Sequence, residues 1–415
     1  MKGTNHPNYG KKRPEHSLAM SGKNHPMFGK PSAFKGKHHT EEAKRKISAH
    51  HSGEGNPFYG KHHTAETREK MSKSHRKNLM KGGEFMDLNI IWFVLIVVLF
   101  TGFFILEGFD YGVGMLILGR SEKERSQFIR SIGPIWHGNS VWMITAGGAA
   151  FAAFPHFYAT MFSTFYLALF LMLIALIMRG VAFELRGKFN RADWKLLWDG
   201  AIVFGSFVPA LLWGVAIANL VRGLPIDSQM HYAGNFFNLL SPYTILAGIF
   251  FVCLFAFHGV TFLMIRLADE RLLLDLKRKG KCIGAAAWIT YIAFIIASMF
   301  ETDVLSQSVG VIIFAVAAGV LSAAWDFVRL GRQSSAFVAT SVSIAITTIG
   351  FFVALFPRLM VSSLSPEWSL TIYNAASTQG TLFVMTIAAV ILVPIVLAYQ
   401  YWTYKTFKER IAPMN

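Results

Sequence analysis

Charge is scarce in this chain. Only 15% of its 415 residues are Asp, Glu, Lys or Arg, against about a quarter in soluble domains. Cysteine is scarcer still. Cys253 and Cys282 are the two present, which excludes a disulfide framework, and no Cys-x-x-Cys pair exists for a metal. Residues 86–415 lack a Walker-type phosphate loop, a Gly-x-Gly-x-x-Gly turn and a His/Cys cluster. No self-sufficient nucleotide or redox centre can be read from them. The first residues lack the apolar run of a signal peptide. What is abundant is apolar side chain: 53% of the residues, with a mean hydropathy of +0.40. This excludes a soluble globular enzyme and predicts an all-α polytopic integral membrane protein.

The charge that exists is unevenly placed. Residues 1–85 hold 18 Lys/Arg against 7 Asp/Glu, a net +11, and ten of the fourteen histidines. Residues 86–415 hold 22 against 17. The junction lies near Lys81-Gly82-Gly83-Glu84-Phe85-Met86. The stretch 1–85 has too few aliphatic residues to bury a core and reads as a basic, mostly extended or disordered tail. It is also repetitive. Asn5-His6-Pro7-Asn8-Tyr9-Gly10-Lys11 recurs at Asn24–Lys30 and, shortened, at Asn56–Lys61. The unit Gly36–Ser48 returns at Gly60–Ser72, with Thr40 and Thr64 as N-caps of short helices. Such a chain suits a phosphate backbone. The repeats resemble the nuclease-associated modular DNA-binding units of homing endonucleases over about residues 1–77. No nuclease motif accompanies them, and the pairs His38-His39 and His62-His63 read as surface histidines rather than a metal site.

Charge-free stretches locate nine predicted transmembrane helices, each needing about 20 apolar residues. They are 88–106, two crossings within 131–178 joined by a tight hairpin at Phe154-Pro155-His156, then 200–221, 240–265, 282–300, 304–325, 334–356 and 379–404. Lys and Arg crowd the loops after the odd-numbered spans: Arg120–Arg130, Arg186–Lys195, Arg266–Lys281, Arg329–Arg332 and Lys405–Arg410. The positive-inside bias then puts the C-terminus in the cytoplasm and the start of the first span, near Met86, outside. A tail of +11 would have to cross the membrane to precede that span. In addition, Lys81–Met86 can be encoded AAA GGA GGN GAA TTT ATG, a ribosome-binding sequence before a start codon. Met86 is therefore the expected native start, with 1–85 an upstream fragment that is not part of the working protein.

Polar residues inside apolar spans are functional candidates. Glu107 and Asp110 lie three apart and share one helix face; they read either as a proton-relay element or as a packing pair. Gly108 and Gly112 beside them allow a close helix approach. Trp136-His137-Gly138-Asn139 opens the second span. His137 titrates near neutrality and can carry a proton, or can be a hydrogen-bonded interface residue or a haem ligand. Trp136 and Trp142 read as interfacial anchors. Arg179 needs a partner, for which Glu107, Asp110 and Glu184 are candidates. Asp199 begins the fourth span, and His258 is a lone packing histidine.

Leu106-Glu107-Gly108-Phe109-Asp110-Tyr111-Gly112-Val113-Gly114-Met115, Ile132-Gly133-Pro134-Ile135-Trp136-His137-Gly138-Asn139, Thr145–Pro155, Arg179–Lys188, Trp198-Asp199 and Phe356–Leu364 follow in an order that resembles subunit II of the cytochrome bd quinol oxidases, in a form like the Gram-positive branch. The resemblance runs from about Met86 to the C-terminus. It implies a complex in the bacterial plasma membrane that oxidises quinol, reduces dioxygen to water with protons from the cytoplasm, and builds proton-motive force. It also implies that two b-type haems and one d-type haem sit in the partner subunit I and none in this chain. Further implied partners are a small single-helix subunit, membrane lipid and quinone, with no DNA in the mature complex. The family's polar positions map onto Asp110, Trp136, Asn139, Arg179, Glu184 and Asp199. At His137 the family usually has Asp, and at Ser140 Glu, so either the route uses imidazole at position 137 or protons enter elsewhere. A secondary transporter and a membrane-tethered DNA-binding protein are the alternatives the residues leave open. Paired Gly/Pro-broken short spans would favour the first, and an internal N-terminus the second.

Overall fold

The computed structural model describes residues 87–306 and 308–413. The chain separates into two units, Met1–Phe85 and Met86–Asn415. The basic repeats lie outside the described residues.

Eleven α-helices make up the described part: α1 (Leu88–Leu116), α2 (Glu122–Ile132), α3 (Trp136–Ala153), α4 (Pro155–Thr164), α5 (Tyr166–Leu185), α6 (Ala192–Arg222), α7 (Pro242–Arg266), α8 (Glu270–Glu301), α9 (Ser308–Leu330), α10 (Gln333–Leu355) and α11 (Gln379–Thr406). Eight of them, α1, α5, α6 and α7 to α11, are long and apolar enough to cross a membrane. The predicted ninth crossing corresponds to α3. It has 18 residues, and its first turns carry His137, Asn139 and Ser140, which dilute its apolar content. The break at Phe154-Pro155 is present, with Pro155 at the first position of α4, where its missing N–H costs nothing. The tight hairpin expected there is instead the ten-residue helix α4. Its Thr160 hydroxyl donates to the Met230 carbonyl at 2.6 Å.

α1 is the central helix. At about 1.5 Å per residue its 29 residues exceed the roughly 30 Å hydrocarbon core. The helix therefore continues past Glu107 and Asp110, as the sequence predicts. It packs on α3, α6, α7 and α10. The α1–α7 crossing is close because Gly112 and Gly259 face each other: a Cβ on Gly112 would lie 1.9 Å from the Phe255 carbonyl oxygen. Phe103, Phe104, Phe109, Phe250, Phe255 and Phe257 fill the surrounding core. His258 is buried there as a pin. One ring nitrogen pairs with the Thr340 hydroxyl at 2.7 Å and the other with the Ile105 carbonyl at 3.1 Å.

α2 is a short amphipathic helix. Ser121 and Glu124 form a capping box, and Phe128 and Ile132 are buried beneath it. α8 starts twelve residues before its predicted span, so Arg271, Lys277, Arg278, Lys279 and Lys281 are helical. Asp269 caps it, accepting from Arg271 N–H at 3.0 Å. Reading spans from charge-free runs sees only the part of a helix within hydrocarbon. At the opposite end, β1 (Arg358–Met360) pairs antiparallel with β2 (Leu370–Thr371), and Leu224 bridges to Ser362 after α6 turns at Gly223, φ +102°.

Several helices leave apolar faces exposed, α11, α5 and α3 among them. α11 buries only Leu382. α5 exposes Leu167, Phe170, Leu173 and Ile177, and α3 exposes Val141, Ile144 and Phe151.

Candidate functional site

The cluster around Glu107 and Asp110 is assembled by four helices. On α1 the two carboxyls share a face, with Tyr111 next to them. α5 contributes Arg179, driven inward where it meets α6: a Cβ on Gly205 would lie 2.4 Å from both the Ala175 carbonyl oxygen and the Arg179 Cβ. α3 contributes Asn139 and Ser140, and α11 Gln400 and Tyr404. Glu107 is 1% exposed, Asp110 0% and Arg179 2%.

One guanidinium nitrogen of Arg179 donates to both Glu107 oxygens at 3.2 Å. Ser140 donates its hydroxyl to Glu107 Oε1. The guanidinium also lies over the Tyr111 ring at 4.9 Å and the Phe183 ring at 5.4 Å, a cation–π arrangement strengthened by burial. Of the three partners the sequence allowed Arg179, the structure selects Glu107. Glu184 is exposed on α5 and joins no cluster. Asp110 accepts instead from the Asn139 amide at 2.8 Å. Asp110 Oδ1, the Tyr111 hydroxyl and Arg179 Nε and Nη2 have no protein partner.

Asp199 lies in a second cluster with residues of α2 and α5. Arg186 Nε donates to it at 2.5 Å, and Arg125 Nε approaches at 3.0 Å. Arg186 also reaches the Ser126 hydroxyl at 3.0 Å, and Lys195 donates to Glu122 at 2.9 Å. This group clamps the amphipathic α2 to α5 and α6. The Lys195 hydrogen bond holds the Glu122 carboxyl below its usual range. The stabilisation is present above the ordinary Glu range and is lost as pH falls through the lowered value. Glu122 is 43% exposed, so the effect is small.

His137 points away from both clusters. It is exposed on the outer face of α3, with its ring 3.7 Å from that of Trp136. Trp136 packs on Phe183 at 5.0 Å. Trp142, read as an interfacial anchor, donates its indole N–H to Gln400 Oε1 at 2.8 Å. The sequence reading missed Gln400, Tyr404 and Tyr111. The signal for Gln400 was present, since it is an uncharged polar residue within the apolar run 379–404.

The cluster can hold or pass a proton. Two carboxyls, two phenols and two amides come together, with Gln400 and Tyr404 half-buried and one cation for two potential anions. Its backbone setting also has known relatives. The chain matches the family described as cytochrome bd terminal oxidase subunit II over residues 88–407. NUMOD3 motifs match at residues 1–19, 16–32 and 36–72. Cytochrome bd ubiquinol oxidase subunit 2 of Bacillus subtilis (strain 168) is 39% identical over 332 residues, 79% of this chain and 97% of that protein. Cytochrome bd-I ubiquinol oxidase subunit 2 of Escherichia coli (strain K12) is 38% identical over 368 residues, 79% of this chain and 96% of that protein. The bd oxidase structure from Geobacillus thermodenitrificans has the same fold, with a TM-score of 0.60 at 16% identity over 78% of this chain and 99% of that one. The chain belongs to the cytochrome bd terminal oxidase subunit II family.

Proposed function

We propose that residues 86–415 form the partner of a haem-bearing subunit I, and that together they oxidise membrane quinol, reduce dioxygen to water and build proton-motive force. Membership of the subunit II family carries this reading. His258 has both ring nitrogens committed to hydrogen bonds, so it offers no lone pair to iron. His137, His156 and His231 are exposed. Among the described residues no group of three His, Cys, Asp or Glu could hold a metal ion. We assign the two b-type haems and the d-type haem to subunit I, as the family resemblance implies, and subunit I then supplies the electron transfer and oxygen chemistry.

The exposed apolar faces of α3, α5 and α11 are the surface for subunit I, with lipid, quinone and a small single-helix subunit at its edges. α3 completes nine crossings when that surface is covered. The C-terminus faces the cytoplasm, and the start of α1 faces outward. This follows from the Lys and Arg bias. Glu107, Asp110, Asn139 and Arg179 form the inward proton path. One guanidinium beside two buried carboxyls leaves an excess negative charge, which is costly in low dielectric; a bound, exchangeable proton removes it. His137 and Trp136 lie at the mouth of α3, where imidazole takes the place of the family's usual carboxylate.

Two experiments check the reading. The tagged chain purified with its genomic partner should show haem absorbance and quinol-dependent oxygen consumption. Purified alone, it should show neither, and stoichiometric haem in the isolated chain would contradict the division. Mass-spectrometric sequencing of the protein from native membranes should find Met86 at the N-terminus. The 96–97% coverage of the relatives by 79% of this chain supports that start. Peptides from 1–85 at the same abundance as membrane peptides would exclude it and revive a membrane-tethered DNA-binding role.

A further inference from the structure

α11 is held to the bundle by few contacts, and they are largely polar. Near its start the Trp92 indole donates to the Leu382 carbonyl at 3.1 Å and the Thr386 hydroxyl at 3.0 Å. Near its end Trp142 donates to Gln400 Oε1 at 2.8 Å, Gln400 Nε2 donates to Asn139 Oδ1 at 3.3 Å, and Tyr404 donates to the same oxygen at 2.7 Å. Asn139 Nδ2 donates onward to Asp110 at 2.8 Å.

These bonds have a fixed direction. An amide side chain can be turned by 180° with little change in shape, so its neighbours must determine which end is which. Indole N–H is donor only. It therefore demands the oxygen of Gln400, which turns the Gln400 amino group toward Asn139. That demands the oxygen of Asn139, and Tyr404 donates to it as well. The Asn139 amino group is left facing Asp110 Oδ2. Asp110 Oδ1 has no protein partner.

We propose that Trp142, Gln400 and Tyr404 are positioning residues for proton transfer: by fixing the Asn139 amide as a donor to Asp110 Oδ2, they make Oδ1 the oxygen that takes up and releases the proton. The inference deepens the proton-path reading above and rests on it. It also gives α11 a role. A helix whose outer face is exposed and whose last turns orient a buried proton carrier would link the seating of subunit I on that face to proton handling.

The groups facing Asp110 are limited. α1 contributes Glu107 and Tyr111, α3 Asn139 and Ser140, α5 Arg179, and α11 Gln400 and Tyr404. Arg266 at the end of α7 donates to the Glu409 carbonyl at 2.8 Å. On α6, Asp199 is held by Arg186 and Arg125. With the Asn139 donor removed, the anionic form of Asp110 is less favoured and the proton is held more tightly.

The test uses the assembled oxidase at equal haem content. Turnover is measured from pH 5.5 to 8.5 in Asp110→Asn, Asn139→Leu, Tyr404→Phe, Gln400→Leu and the pair Tyr404→Phe with Gln400→Leu. The carboxyl C=O stretch that disappears in Asp110→Asn is followed by infrared difference spectroscopy. Asn139→Leu should move the alkaline fall of turnover upward by about one pH unit, the tenfold change in proton affinity expected for losing a charge-assisted hydrogen bond. The pair should match it in both profile and band position. Adding the pair to Asn139→Leu should change neither further. An additional shift in that background would mean that α11 acts by another route and would overturn the proposal. Should the pair not assemble, Tyr404→Phe alone, nearly isosteric, must shift the profile and band in the same direction by less; a wild-type profile there overturns it too. Wild-type turnover in Asp110→Asn would instead remove the proton-path reading itself. Impaired Asp110→Asn with unshifted α11 variants would remove the positioning role alone.

Discussion

Arg179→Leu is expected to destabilise the folded subunit by about 3–5 kcal/mol, the cost of leaving a buried carboxylate without its counter-ion. The guanidinium lies between α1 and α5 with both partners essentially inaccessible, at 2% and 1% side-chain exposure. Its loss strands Glu107, whose remaining partner is the Ser140 hydroxyl. It also empties the space over Tyr111 and Phe183 that the planar group occupies. Arg179→Lys should recover only part of the loss, because an ammonium lacks the planar face that covers the Tyr111 and Phe183 rings. Arg179→Leu with Glu107→Leu should be more stable than Arg179→Leu alone, since one buried carboxyl fewer is left without a counter-ion and Asp110 keeps the Asn139 amide as its donor. The thermal midpoint of the detergent-purified complex, together with its yield from membranes, reads all three. If the double variant is less stable than the single one, the ion pair is not what Arg179 is buried for.

A comparable loss is expected from one carbon atom at the α1–α7 crossing. A Cβ on Gly112 would sit 1.9 Å from the Phe255 carbonyl oxygen and 2.8 Å from Gly259 N and Cα. All of these are backbone atoms, so no side chain can rotate away and the helices must part. Overpacking in a well-filled core typically costs about 1–3 kcal/mol, and this contact belongs at or above the upper end. Gly108→Ala meets the Phe255 ring at 2.8 Å, a neighbour that can tilt, and should cost less. Gly319→Ala, with nothing within 4 Å, should be neutral or mildly stabilising through helix propensity. Yield and thermal midpoint should fall in the order Gly319→Ala, Gly108→Ala, Gly112→Ala. Near-wild-type Gly112→Ala would mean that α1 and α7 are further apart than described.

Much of this crossing was legible beforehand. Helical spacing places Glu107 and Asp110 on one face of α1 and Gly108 and Gly112 on another, and charge-free runs located eight of the spans. A buried Arg179 had to find an acid. Spacing could not say which one, because Glu107 is 72 residues away in sequence and Glu184 only five. The choice is made by α5 pressing on α6 at Gly205, a tertiary fact. α3 shows the converse limit: the polar residues that matter to the site, Asn139 and Ser140, are the ones that make its span indistinct. α4 escaped notice because proline marks where a helix stops but also where one starts. Gln400 and Tyr404 were passed over as the end of an apolar helix. Their meaning depends on Trp142, more than 250 positions earlier, being a donor with no capacity to accept.

The central claim is that the Glu107–Asp110–Arg179–Asn139 cluster carries protons inward for oxygen reduction, and the voltage generated by a single turnover tests it most directly. The fully reduced complex, reconstituted in liposomes, is mixed with oxygen and the membrane potential is followed in time. In Asp110→Asn the proton-coupled phase should slow at least tenfold, an effect of about 1.4 kcal/mol or more on its barrier, with haem content and quinol reduction of the haems unchanged. A potential that rises at the wild-type rate in Asp110→Asn would contradict the claim and leave the cluster as a packing device.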